Sequence, residues 1–218
     1  MEDLDSSLPP EDGAKWFNRL YLEVTRAVAA REQTGAGGFL EALDVEFAGA
    51  YFAAIGAAGD AAELPDDFPY HAWRPLFEVR YSREVAPVQY ALAGMNAHIN
   101  HDLALGICAV CVARGVEPRV GTPEHAEYLA VNPLIADVES RVKAWLLTDA
   151  LAELDRDFGP VDDLVAIWSV ERARDAAWVR AAVLWHLRDL PALRDDYLEV
   201  NDRAAELASR GLLVPGAG

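Results

Sequence analysis

Apolar residues recur along this chain at three- and four-residue spacings, while the period-two alternation of half-buried strands is nearly absent, so the pattern predicts helices throughout. Trp16, Leu20, Val24 and Val28 share one face of a helix predicted over Asp12–Gln33, which Gly35-Ala36-Gly37-Gly38 breaks. A second helix is predicted over Phe39–Ala58 and, beyond the Leu64–Tyr70 loop, a short one over Trp73–Tyr81. The most apolar element runs from Pro87, a residue suited to a first helical position, to Arg114. Thr122-Pro123-Glu124 combines a hydroxyl cap, a first-turn proline and an acid facing the dipole; the helix it starts is expected to reach Asp157, with an interruption near Asn132-Pro133. Phe158-Gly159-Pro160 stops it, and helices over Val161–Leu190 and Pro191–Arg210 complete the chain. Without repeats or a linker, this reads as one all-α domain over residues 1–218, a helical bundle of about seven or eight helices. Residues 1–11 are expected to be a flexible segment and 211–218 a frayed tail.

Composition narrows the function classes. The 218 residues are 52% hydrophobic and include six Trp, seven Tyr and seven Phe, enough for a sizeable core and unlike an acidic disordered chain. With 36 acidic against 19 basic residues and a net charge of −17, the chain is a poor partner for nucleic acid or an anionic membrane. The polar, acidic start Met1–Ser7 does not read as a signal peptide, and no apolar run approaches the roughly 20 residues of a membrane span. Cys108 and Cys111 lie inside a helical stretch, without the preceding strand of a redox pair or the two further thiols of a zinc site. They read as buried structural thiols in a reducing cytoplasm.

Candidate chemistry lies where polar residues interrupt apolar stripes. In the central helix, Leu92, Met95, Ile99, Leu103, Ile107 and Val110 share a face, flanked by Asn96 and Asn100 on one side and by His98 and Asp102 on the other. His98 and Asp102 are i,i+4 neighbours, so they can touch or converge on one ligand. His98 is a candidate general base or metal ligand, oriented by Asp102; the alternative is a polar layer that only fixes packing. His101, nearly opposite the apolar centre, is expected to be exposed.

Arg80 falls on the face of Trp73, Leu76 and Phe77, and a buried guanidinium requires an anion. That anion is expected to be Asp102, or else a substrate carboxylate or phosphate. Farther on, Trp168, Glu171, Asp175, Trp178, Ala182 and Trp185 follow one helical stripe, placing two carboxylates between indoles. Such acids would hold their protons more tightly, and with His98 and Asp102 they form a candidate metal set. The alternative pairs them with Arg172, Arg174 and Arg180. Asp44 similarly interrupts the Leu40, Phe47, Tyr51 stripe. The sequence contains no H-E-x-x-H, P-loop or G-x-S-x-G element.

Gly94-Met95-Asn96-Ala97-His98-Ile99-Asn100 with Asp102-Leu103, preceded by Trp73–Tyr81 and Pro87-Val88-Gln89-Tyr90, resembles an all-helical, largely actinobacterial family of unknown function. The resemblance implies an all-helical fold and supports the choice of residues without implying an activity. The position after Asn100 often carries Arg in that family, where this chain has His101, which argues against a catalytic His101. The leading expectation is a small-molecule enzyme for cyclisation, isomerisation or hydrolysis that needs no cofactor. His98, Asp102 and Arg80 would be catalytic, while Asn96, Asn100, Glu171, Asp175, Trp178 and Trp185 would line a Trp-rich substrate pocket. The alternatives are a divalent-metal hydrolase using His98, Asp102, Glu171 and Asp175, and a non-catalytic binding or scaffold protein; self-association stays open.

Overall fold

In the computed structural model, which describes residues 1–32, 38–60, 63–138, 140 and 169–215, every regular element is helical. The Gly35–Gly38 break (apart from Gly38 itself), the helix predicted beyond 140, the Phe158-Gly159-Pro160 stop and Trp168 lie outside the described residues. The elements are α1 (Glu2–Ser7), α2 (Ala14–Glu32), α3 (Phe39–Ala58), α4 (Arg74–Glu78), α5 (Pro87–Ala97), a π-helical turn (His98–Asp102), α6 (Leu103–Arg114), α7 (Pro123–Leu129), α8 (132–138), α9 (Val170–Leu187) and α10 (Pro191–Leu212).

Local chemistry explains the ends. Pro87 and Pro191 open α5 and α10, where a missing N–H breaks no helical bond. The Thr122 hydroxyl accepts from the His125 amide at 3.3 Å and caps α7. Gly115, at φ 66°, takes the left-handed conformation that closes α6.

The rod α5–π-turn–α6 runs through the middle of the bundle. Its first half packs on α2 and α10, its second half on α3 and α9, and the π-turn touches α3, α9 and α10. Residues 88–99 are all buried, which accounts for the apolarity of this stretch. Gly94 sets the spacing on one side, since a Cβ there would stand 2.4 Å from Phe17 Cγ. Buried apolar side chains from every part of the described chain join one core.

The N-terminal segment expected to be flexible instead forms α1 against α2, held by Lys15 Nζ donating to the Leu8 carbonyl at 2.7 Å. The segment expected to be a frayed tail is held as far as it is described: Gln89 Nε2 donates to the Leu212 and Val214 carbonyls, both at 2.8 Å. Among the described residues, no helix is long and apolar enough to cross a membrane.

Candidate functional site

His98 opens the π-turn. There the Leu103 amide donates to the His98 carbonyl, five residues back, instead of the usual four. Such turns insert one residue into an α-helix and rotate the helical face beyond them, an arrangement frequent at functional sites. His98 Nδ1 lies 2.9 Å from Asp102 Oδ2. Asp102 Oδ2 also accepts from the Trp73 indole at 3.0 Å, and Oδ1 lies 2.9 Å from His101 Nδ1. His101 Nε2 stands 3.6 Å from Asp202 on α10, whose carboxylate accepts the Ala72 amide at 2.7 Å. Asp102 is thus a buried carboxylate with three N–H donors around it.

The electrostatics reflect that arrangement. Burial is the largest single influence and favours the neutral forms of Asp102 and His101, but hydrogen bonds and neighbouring charges together outweigh it at both. Asp102 therefore lies below the usual carboxylate range, and His101, also facing the charge of Asp202, lies above the ordinary histidine value. At His98 burial wins over the Asp102 hydrogen bond and charge, and the imidazole falls below its ordinary value. An ionised carboxylate only accepts, so the neutral His98 ring carries its proton on Nδ1 and a lone pair on Nε2. Nε2 is buried and has no hydrogen-bond partner among the described residues.

Aromatic rings hold the imidazole in place. It stacks on Phe47 with centroids 3.4 Å apart and meets Tyr21 edge-on at 4.5 Å, with Phe17 at 5.5 Å. His98 and these three rings belong to the wall of a cavity of about 120 Å³ between α2, α3, the central rod, α8 and the start of α9. That wall is overwhelmingly aliphatic and aromatic; beside the neutral His98, its charged members among the described residues are Asp44 and Arg174.

The family profile for a family of unknown function (DUF5995) matches residues 1–215. The chain belongs to that family. Comparisons with curated proteins and with solved structures returned no match. Membership agrees with the resemblance carried by the residues around Gly94–Leu103, and it assigns no activity.

The remaining expected site residues separate from this centre. Arg80 is buried, but its fork closes on Asp12, not Asp102: Nε reaches both Asp12 oxygens at 3.0 Å, Nη2 forms a third close contact, and Nη1 donates to the Gly59 carbonyl at 2.8 Å. Asp12 also accepts the Ala14 amide at 2.9 Å, so this pair fastens the start of α2 to α4 and to the end of α3, away from the cavity wall. Asn96 Nδ2 donates to the Ala205 carbonyl at 2.7 Å and to Ser209 Oγ at 2.9 Å, and Asn100 Nδ2 to Asn96 Oδ1 at 3.0 Å. With Arg180 Nη1 on the Asn100 carbonyl at 3.2 Å, these amides tie the rod to α9 and α10 and do not line the cavity.

The stripe expected on α9 is rotated by one residue. Val170, Arg174, Ala177, Trp178, Ala181 and Leu184 face inward, while Glu171 and Asp175 are exposed and cannot join His98 and Asp102 around a metal. Solvating two carboxylates costs less than burying them unpaired. Among the described residues, no three His, Cys, Asp or Glu side chains converge on a metal position. Trp178 is buried beside His125 and Tyr128, Trp185 is half-buried under Arg188, and neither lines the cavity. Cys111 is buried and Cys108 half-buried, both as free thiols whose pKa burial pushes up.

Sequence reasoning missed His101 and Asp202 as members of the site; it set Trp73 beside Arg80 and offered Arg174 to Glu171 and Asp175, whereas Trp73 bonds Asp102 and Arg174 stands on the cavity wall. The Trp73 indole, Asp202 and Arg174 carried no spacing signal. His101 was misplaced because a uniform 100° step per residue cannot register a π-turn.

Proposed function

We propose that this protein is an enzyme that moves a proton on a small, largely apolar molecule, with His98 Nε2 as the general base. One observation carries the reading. A neutral imidazole on the cavity wall has its Nδ1 anchored on a buried carboxylate and its Nε2 without a partner among the described residues. Asp102 fixes the tautomer and the ring orientation, and it stabilises the imidazolium formed when Nε2 takes a proton; Trp73 and His101 hold Asp102 in turn. The apolar wall excludes water and limits competing proton exchange. Base-catalysed isomerisation, cyclisation and hydrolysis each begin with a proton transfer of this kind.

The test compares small-molecule extracts incubated with the wild-type protein, His98→Gln and Asp102→Asn. The reading expects at least one compound to be converted by the wild type, about 10²- to 10⁴-fold more slowly by His98→Gln, and more slowly by Asp102→Asn. Conversion by His98→Gln at the wild-type rate would refute it. Because burial lowers the His98 pKa, the acid limb of the rate profile should lie below the ordinary histidine value of 6.5.

A further inference from the structure

Arg174 is 6% exposed and stands on the cavity wall. Its Nε donates to Asn132 Oδ1 and its Nη2 to the Tyr128 carbonyl, both at 2.8 Å, and the guanidinium lies 4.1 Å above the Tyr128 ring. All of these partners are neutral. Among the described residues, no carboxylate oxygen comes within 4.0 Å of it; Asp44 and Asp175 act only through space, and Asp175 is exposed. A guanidinium has five N–H donors, so two hydrogen bonds leave the Nη1 edge without an acceptor among the described residues. A cation taken out of water in this way calls for an anion, and the planar fork matches a carboxylate.

We propose that the cavity takes a small carboxylic acid, its carboxylate paired with Arg174 and its apolar body among the aliphatic and aromatic side chains. The inference rests on the cavity being the reaction site and adds the substrate's chemical class. At about 120 Å³, the cavity is close to the roughly 150 Å³ apolar cavity that holds benzene, which sets the body at one small ring or a short aliphatic chain. The partners of Arg174 (Asn132 and Tyr128) and those of His98 (Asp102, Phe47, Tyr21 and Phe17) share no residue, so the two groups occupy different stretches of wall. A carboxylate held by Arg174 leaves the body of the molecule for His98 to act on.

The experiment titrates the full chain with hexanoate and benzoate, and with hexan-1-ol and benzamide as neutral counterparts, by calorimetry and by ¹⁵N NMR of arginine side chains. The expected result is at least about tenfold tighter binding of each acid than of its neutral counterpart, with the Arg174 Nε signal shifting on hexanoate and not on hexan-1-ol. Arg174→Gln should lose about tenfold or more in hexanoate affinity and keep that for hexan-1-ol; if the variant fails to fold, the wild-type comparison decides alone. Equal affinities for acid and neutral probe, or an Arg174 signal unmoved by hexanoate, would overturn the proposal in favour of Asp44 as the counter-charge. Failure of all four probes to bind would overturn it as well. Selective hexanoate binding by a protein that converts no compound would leave the carboxylate site standing and remove the catalytic reading.

Discussion

At Asp102, one buried carboxylate receives N–H groups from Trp73, His98 and His101, so removing its charge disturbs three donors at once. Asp102→Asn should destabilise the fold by about 3 kcal/mol or more in urea unfolding, the scale for breaking a buried ionic cluster. It should also move the His98 proton between ring nitrogens, which ¹⁵N NMR reads directly. The histidines impose opposite pH trends. His101 has a raised pKa in the fold, so its contribution is complete below the unfolded value of 6.5 and is lost as pH rises through the folded value. His98 has a depressed pKa, so its contribution is complete above 6.5 and is lost as pH falls. The melting-temperature gap between wild type and His101→Gln should therefore be widest below pH 6.5 and narrow above it; a gap that widens with rising pH would contradict the role given to His101. The His98–Asp102 pair was legible in the sequence because four residues bring two side chains together in an α-helix and in a π-turn alike. The roles of Trp73 and Asp202 were not, because they arise from contacts across 29 and 130 residues.

The helices themselves were readable from spacing, caps and prolines: α3 has the predicted bounds, and α5, the π-turn and α6 together fill the range predicted for one helix. Orientation was harder to read. On α9 the indoles point to one stripe, and Trp178 does face inward, but Val170, Arg174, Ala177, Ala181 and Leu184 share that face with it, Arg174 because Tyr128 and Asn132 offer its guanidinium acceptors and a ring. A stripe of large residues shows that a helix is amphipathic but fixes its rotation only to within about one residue. Gly94 carries an element-scale prediction. Its missing side chain lets α5 approach α2, and a Cβ there would meet three Phe17 ring and Cβ atoms at 2.4–2.6 Å. Phe17 also lies edge-on to His98 and on the cavity wall. Gly94→Ala should cost about 1–3 kcal/mol through overpacking, and should lower hexanoate affinity and shift the His98 ring resonances. A stable variant with unchanged His98 signals would show that the spacing between α5 and α2 is not what positions the imidazole.

Across the whole molecule, the charge of −17 and the few inward charges belong to different problems. Glu171 and Asp175, expected inside, are solvated, whereas Asp12, expected only to begin a helix, is fully buried. Two groups stand out among the inward ionisable residues: a cavity group (His98, Asp102, Asp44 and Arg174) and a fastening group in which Arg80 and Asp12 bond to each other, to the Gly59 carbonyl and to the Ala14 amide. Separate groups should respond separately to substitution. Arg80→Met strands the Asp12 carboxylate where it has no exposure, and should lower unfolding free energy by about 3–5 kcal/mol, as for other buried pairs that lose one partner. The double variant Arg80→Met/Asp12→Leu removes both charges and should recover a large part of that loss, because most of the single-variant cost lies in the stranded charge and not in the missing attraction. Hexanoate affinity, measured where each variant is folded, should match that of the wild type in both. A fall in affinity that tracks Arg80 and not stability would place the Arg80–Asp12 pair within reach of the cavity and return Arg80 to the ligand site.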